Sequence, residues 1–344
     1  MTKRINLALQ GGGAHGAFTW GVLDRILEED DIEIAAISGT SAGALNGAAL
    51  KSGMIRNGRE GAKEMLDWVW TEVGRLDSLS LPEWMNAWLP DPGILSLAVE
   101  YSPAFAAGDG LTRALSPYAW GPLYQNPVQP IAERLDFGEV CAAGGPDLYI
   151  CATAVRDGKV RVFSGEHITT EAILASACLP TVFQAVYATC PLSGEREAFW
   201  DGGYTGNPAL FPLFQPELPD DVLIVNINPL EVDRLPVTPQ EIQNRINEIS
   251  FNSSLLRELR AIEFVQRLIS AGSVAEGAMK RVLVHMVSDD ELMNRLSVAT
   301  KLVPISTVIL QLKEAGRRAA GDFLYHHRDD IGVRQSADLV KMFN

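Results

Sequence analysis

The sequence predicts an α/β fold: a three-layer α/β/α sandwich with a mainly parallel central sheet, a helical insert and C-terminal helices. Three observations carry that expectation. A short apolar run, Ile5 to Leu9, leads straight into a glycine-rich loop and then into a stretch with helical periodicity. A second apolar run, Ile32 to Ile37, ends in a Gly-x-Ser-x-Gly turn followed by a small-residue run that suits a tightly packed helix. Strand, loop, helix, strand, turn and helix form the opening of a sheet whose successive strands run parallel, since each crossover helix returns the chain to the same end.

The elements can be justified in order. Phe18, Val22, Leu23, Ile26 and Leu27 recur at helical spacing while Asp24, Arg25, Glu28 and Glu29 take the opposite face, so the first helix is amphipathic. Residues 52–145 change character: Trp68, Trp70, Trp84, Trp88 and Trp120 lie among eight prolines, which reads as short helices and loops covering the sheet. Strand signals return at Leu148 to Val155 and Val160 to Phe163, joined by the turn Arg156-Asp157-Gly158-Lys159. Thr169-Thr170-Glu171 opens a helix that stops before Pro180. Further strands are expected at Ala198 to Trp200, Val222 to Asn228 and Val282 to Val287. Thr238-Pro239-Gln240-Glu241 has the form of a capping box, with Ile242, Ile246 and Ile249 continuing one apolar face. A terminal helix, Pro304 to Leu324, turns Ile305, Val308, Ile309, Leu312 and Ala315 inward. The expected organisation is a catalytic unit over residues 1–230, interrupted by the insert at 52–145, with a helical extension at 231–344 packed on the same unit.

Composition narrows the function classes. The 344 residues carry 43 Asp+Glu against 29 Lys+Arg, a formal net charge of -14, with no basic run longer than Arg317-Arg318. Nucleic acid is therefore a poor partner, because neutralising phosphates needs clustered Lys and Arg. Cys141, Cys151, Cys178 and Cys190 show neither Cys-x-x-Cys nor Cys/His metal spacing and read as reduced core residues. No apolar run approaches the roughly 20 residues of a membrane span, so a cytoplasmic protein is expected, with peripheral contact at a membrane surface left open. No calcium loop or metal cluster stands out, and no cofactor is expected.

The chemistry concentrates at three places. Gly39-Thr40-Ser41-Ala42-Gly43, between a strand and a helix, puts Ser41 at a strained elbow that lifts its hydroxyl clear of the sheet, at a helix N-terminus that favours developing negative charge. Gly11, Gly13 and Gly16 satisfy the dinucleotide fingerprint, but that reading needs an acid at the end of the second strand, where Ser38-Gly39-Thr40-Ser41 stands instead. The favoured alternative has the N–H groups of Gly11, Gly12, Gly13 and Ala14 pointing at one oxygen, as an oxyanion hole. Asp201, in Phe199-Trp200-Asp201-Gly202-Gly203-Tyr204, sits at a strand end leading into two glycines and is the candidate base. His285 lies inside the apolar run Val282 to Val287 and reads as a core or strand-end histidine, while His15 sits within the glycine loop.

Gly11-Gly12-Gly13-Ala14-His15-Gly16, Gly39-Thr40-Ser41-Ala42-Gly43 and Asp201-Gly202-Gly203, in that order, resemble the three signatures of the patatin-like phospholipases. The resemblance implies a Ser-Asp dyad without histidine: Ser41 as nucleophile, Asp201 as general base, and the Gly11 to Ala14 loop as oxyanion hole. Ala175 to Pro180 and Asn207-Pro208 also look like family segments that shape the sheet's functional edge. Gln10 stands where many members carry aspartate, and His15 where many carry Arg or Lys. The likeness covers about residues 5–51 and 148–230.

The resemblance thus implies a serine acyl hydrolase acting on lipid carboxylic esters, of phospholipase A type, through an acyl-enzyme. The alternatives are an acyltransferase using the same serine, a dinucleotide-binding oxidoreductase and a non-catalytic lipid-binding module. An unperturbed aspartate, with pKa about 3.9, is a weak base for a serine hydroxyl, so a partly buried site is expected, with an acidic limb of the rate profile below the pH of about 6.5 typical of histidine. Trp84, Met85, Trp88, Leu89, Ile94, Leu95, Leu97 and Val99 either cover the site as an apolar lid or fill a second core layer. Because an acidic protein gains nothing from anionic bilayers, any membrane docking should use the apolar surface of residues 80–100.

Overall fold

The computed structural model describes residues 2–76, 91–103, 105, 108, 110, 115–232, 235–275 and 277–343. Eight strands form one mixed sheet: β1 (Lys3–Leu9), β2 (Ile32–Thr40), β3 (Asp147–Ala154), β4 (Val160–Ser164), β5 (Val186–Thr189), β6 (Arg196–Asp201), β7 (Asp221–Val225) and β8 (Leu283–Val287). Their order is β5-β6-β3-β2-β1-β7-β8, with β4 paired to β3. The β3-β2-β1-β7-β8 block is parallel throughout, and β4, β5 and β6 join antiparallel. The principal helices around the sheet are α1 (Ala17–Ile26), α2 (Ala42–Gly74), α3 (Pro92–Glu100), α4 (Thr170–Ser176), α5 (Pro239–Ser270), α6 (Val298–Leu302) and α7 (Ser306–His327).

The central strands are buried on both faces, which is why β1 and β7 read as continuous apolar runs without alternation. One core cluster packs α1, α2, α4 and α7 against one face; a second, built from Leu210, Leu213, Val222, Ile224, Leu255 and Leu259 among others, lies under α5. Helix α7 meets α1 backbone to backbone. A Cβ on Gly21 would run into the Lys313 carbonyl and one on Gly316 into that of Phe18, so these two glycines set the approach. Phe18, Val22, Leu23 and Ile26 on α1 and Val308, Ile309, Leu312 and Ala315 on α7 are all buried there, as their spacing requires.

Three features depart from the sequence pattern. Helix α2 continues through residue 74, broken only at Asn57 and Gly58, so the segment expected to begin at residue 52 opens as the continuation of the helix behind Ser41. Strand β5 is four residues long and pairs along β6, too brief to leave an alternation signal. Helix α5 has its capping box, with Thr238 and Glu241 bonded reciprocally, yet Ile242, Ile246 and Ile249 are exposed, and Asn252, Leu255, Leu259 and Ile262 make the buried face. Periodicity identifies a helix; it does not say which stretch of its face finds a neighbour. Of the lid candidates, Trp84, Met85, Trp88 and Leu89 lie outside the described residues.

Candidate active site

Strand β2 ends at Thr40 and α2 starts at Ala42, leaving Ser41 alone at the junction with φ 54 and ψ -120. It is the one residue other than glycine with positive φ among the described residues. Such a conformation costs about 1–3 kcal/mol and persists only where the surroundings enforce it. They do so here by hydrogen bonding and by contact. The Ser41 N–H donates to Ser176 Oγ at 2.8 Å, and Ser176 in turn donates to the Cys151 carbonyl at 2.6 Å. Thr40 donates through Oγ1 to the Gly206 carbonyl at 2.6 Å, which ties the strand end to the loop after Asp201. Gly43 sits under the Leu9 carbonyl, where no side chain fits, so the first turn of α2 rests directly on the end of β1.

Asp201 closes β6 and is almost completely buried. The Ser41 hydroxyl lies near enough to favour its charged form, and the Gly203 N–H donates to Oδ1 at 2.7 Å. Its backbone is pinned as well: its N–H donates to the Cys178 carbonyl at 2.7 Å, and its carbonyl accepts from Thr153 Oγ1 at 2.8 Å. Burial pushes the carboxyl up to about 7, with the Gly203 and Ser41 hydrogen bonds opposing that rise. The rise moves the acidic limb, expected below the pH of about 6.5, up toward neutrality. A fully desolvated aspartate reaches neutrality without histidine. Cys178, beside Asp201, is pushed up to about 12 by burial and by the aspartate charge, so its thiol stays protonated.

The glycine loop runs alongside Ser41. A Cβ on Gly11 would stand 2.7 Å from Ser41 Cβ. The four expected oxyanion donors are not equivalent, however. The Gly11 N–H is already engaged by Asn207 Oδ1 at 2.7 Å, whereas the N–H groups of Gly12, Gly13 and Ala14 have no hydrogen-bond acceptor among the described residues. The structure therefore removes Gly11 as a free donor and leaves it as the anchor of the loop. Gly12 is itself buried, so its N–H faces the interior of the site beside Ser41 with no acceptor among the described residues.

Gln10 is a buried acceptor at the start of the loop. Its Oε1 accepts from the Ile227 N–H (2.9 Å), the Asn228 N–H (3.0 Å) and Asn228 Nδ2 (3.2 Å), and its Nε2 donates to Asn252 Oδ1 at 3.3 Å. His15 points away into the short helices: its Nε2 lies 2.9 Å from Thr300 Oγ1. Burial, and secondarily the Lys301 charge, hold its pKa well below the ordinary histidine value, so the imidazole is neutral. His285 is remote. It lies on β8, three strands from β2, on the order of 14 Å away at about 4.8 Å per strand. There Asp221 Oδ1 is 3.0 Å from Nε2 and Ser336 Oγ 3.0 Å from Nδ1, a cluster that fastens the C-terminal tail to the sheet edge.

Ser176, Asn207, Asn228, Thr300 and Lys301 hold the site's frame. The first two fall in segments the family resemblance marks; the last three lie in stretches with no motif, and only the tertiary structure brings them to the loop. Among the described residues no group of His, Cys, Asp or Glu could hold a metal ion, and no helix is long and apolar enough to cross a membrane.

Among solved structures, the chain is similar to VipD from Legionella pneumophila, with 12% identity, TM-score 0.38, and 92% of this chain and 67% of that chain covered. It is also similar to the type III effector protein ExoU, at 16% identity and TM-score 0.35, covering 94% of this chain and 53% of that one. A third is the heterodimeric ExoU-SpcU complex from the type III secretion system of Pseudomonas aeruginosa, at 18% identity and TM-score 0.29, covering 99% of this chain and 65% of that one. The chain thus spans between about half and two thirds of their length. No curated protein matches it. The family described as Patatin-like phospholipase matches residues 7–214, more than half the chain and all three glycine-bearing segments of the site, and the protein belongs to that family.

Proposed function

We propose that the protein hydrolyses carboxylic esters of lipids through an acyl-enzyme on Ser41, with Asp201 as the only protein base. The observation that carries this reading is the pairing of a strained, elbow-borne Ser41 hydroxyl with a buried Asp201 carboxyl whose pKa lies at about 7. As Ser41 Oγ bonds to the ester carbonyl carbon, its proton passes to Asp201 and the carbonyl oxygen becomes an oxyanion, held by the N–H groups of Gly12, Gly13 and Ala14. Collapse breaks the bond to the alkoxide, which takes the proton from Asp201 and leaves as the alcohol. Water then attacks the acyl-serine, again giving its proton to Asp201, and the fatty acid departs with Ser41 restored.

The lipid assignment follows the family, and an exposed apolar helix face accords with it. Helix α3 is held by Leu95 against the core, by Ser96 to Ser297 and by Asp91 to Arg295, while Ile94 (58% exposed), Leu97 (50%) and Tyr101 (75%) face outward. An ordinary surface helix shows the opposite arrangement, and an outward apolar face suits contact with a lipid interface.

The direct test is release of fatty acid from phosphatidylcholine in mixed micelles, with glycerol added in a parallel arm. Fatty acid released by the wild type and absent with Ser41→Ala supports the hydrolase. Acylated glycerol in place of free acid would assign a transferase, and no turnover of any ester would overturn the reading.

A further inference from the structure

The hydrogen bonds behind the glycine loop end in a positive charge. Asn228, buried just beyond β7, donates through Nδ2 to the Gly11 carbonyl at 2.8 Å and accepts through Oδ1 from Lys301 Nζ at 3.2 Å. The Gly11 carbonyl and the Gly12 N–H belong to one peptide unit. A bond that draws electron density toward the carbonyl oxygen leaves the N–H at the other end more positive, and successive bonds reinforce one another by about 10–30% each. Lys301, Asn228 and the Gly11–Gly12 peptide thus form a file whose free end is the Gly12 N–H, without an acceptor among the described residues.

Among the described residues the charge at the other end is only partly offset. Glu248 Oε1 lies 3.4 Å from Lys301 Nζ, but its Oε2 is 3.3 Å from Arg245, so two cations share one carboxylate. Helix α6 is seated on the loop itself, since a Cβ on Gly13 would strike the Lys301 carbonyl. The neutral His15 on the same loop cannot supply a charge. Lys301 also lies beyond residues 7–214, so the family match assigns it nothing.

We propose that Lys301 is a positioning residue of the acyl-transfer step, acting through Asn228 to strengthen the Gly12 N–H as an oxyanion donor. The inference rests on the reading that the glycine loop is the oxyanion hole. Removing a whole donor from such a hole lowers kcat by about 10²–10³, so weakening one should lower it by about tenfold. Because the effect falls on an oxyanion and not on a neutral carbonyl, it should appear in kcat and leave KM within about twofold.

The experiment compares wild type, Lys301→Met, Lys301→Gln and Lys301→Arg on one soluble ester, and measures inhibition by a long-chain trifluoromethyl ketone and by its unfluorinated counterpart. The fluorinated ketone adds to serine and carries an oxyanion; the plain ketone binds as a carbonyl. Expected are an about tenfold fall in kcat for Met, a smaller one for Gln and recovery with Arg. The fluorinated ketone should weaken by the same factor as kcat, and the plain ketone by less than twofold. Unchanged kcat, a loss confined to KM, or equal weakening of both ketones would overturn the proposal. Failure of the underlying reading looks different: the fluorinated ketone would then gain no affinity over the plain one in the wild type itself.

Discussion

Replacing Asp201 by asparagine separates what the carboxylate contributes to catalysis from what its burial costs the fold. The asparagine Oδ1 can still accept from the Gly203 N–H, which Asp201 does at 2.7 Å, so shape and hydrogen bonding are largely kept while the proposed base is lost. Burial raises the Asp201 pKa from 3.8 to about 7 in the folded protein. A group with a raised folded pKa binds more protons folded than unfolded between those two values, so wild-type stability declines as pH rises from about 4 to about 7 and is level above. Integrated between pH 5.5 and 8.5, the decline due to this one group is about 2 kcal/mol. Asp201→Asn removes it. Urea unfolding of both proteins at the two pH values should show the variant gaining about 2 kcal/mol relative to wild type on going to pH 8.5, while its kcat falls by a factor on the order of 10³ or more. The same carboxyl predicts an acidic limb of the wild-type rate profile near pH 7 that His285→Asn leaves in place. A stability difference independent of pH, or a limb that disappears with His285, would refute the assignment of the neutral-range titration to Asp201.

Three further outcomes are expected from the frame around the dyad. Gly43→Ala would drive a Cβ into the Leu9 carbonyl; neither backbone can retreat, so a loss of about 3 kcal/mol or more is expected in denaturant unfolding, together with loss of turnover. Ser176→Ala leaves the Ser41 N–H and the Cys151 carbonyl unpaired in a buried site, each worth about 1–3 kcal/mol, and should lower kcat at least tenfold through a relaxed elbow, read by ester kinetics alongside unfolding. Ile94→Glu with Leu97→Glu should depress activity on phosphatidylcholine vesicles at least tenfold and leave hydrolysis of a short soluble ester within twofold, because α3 is anchored by Ser96 and Asp91 on its other side.

How much of the fold and site was legible in the sequence depends on whether a feature is local. The elbow at Ser41, the glycine loop and the Asp201 turn each declare themselves within six or so residues, because backbone sterics at φ 54 and close approach of chain segments dictate the residue types on the spot. Helices α1 and α7 were equally readable, since both bury the face their spacing marks. The pKa of Asp201 was not, because desolvation depends on β3, α4 and the loops that surround it and on nothing in its own segment. Nor could the loop's donors be told apart: Gly11 is engaged only because Asn207, 196 positions away, delivers its side chain there. The outward Ile242, Ile246 and Ile249 make the same point for packing, where the pattern shows an apolar face and the tertiary structure decides whether it is covered.

The central claim, that Ser41 is a nucleophile activated without histidine, is met most directly by treating the protein with a long-chain fluorophosphonate and locating the adduct by peptide mass spectrometry. The account predicts one adduct per chain, on Ser41, formed at full rate in His285→Asn, slowed by orders of magnitude in Asp201→Asn and absent from Ser41→Ala. Labelling at another serine, or labelling of Ser41 at an undiminished rate in Asp201→Asn, would contradict it.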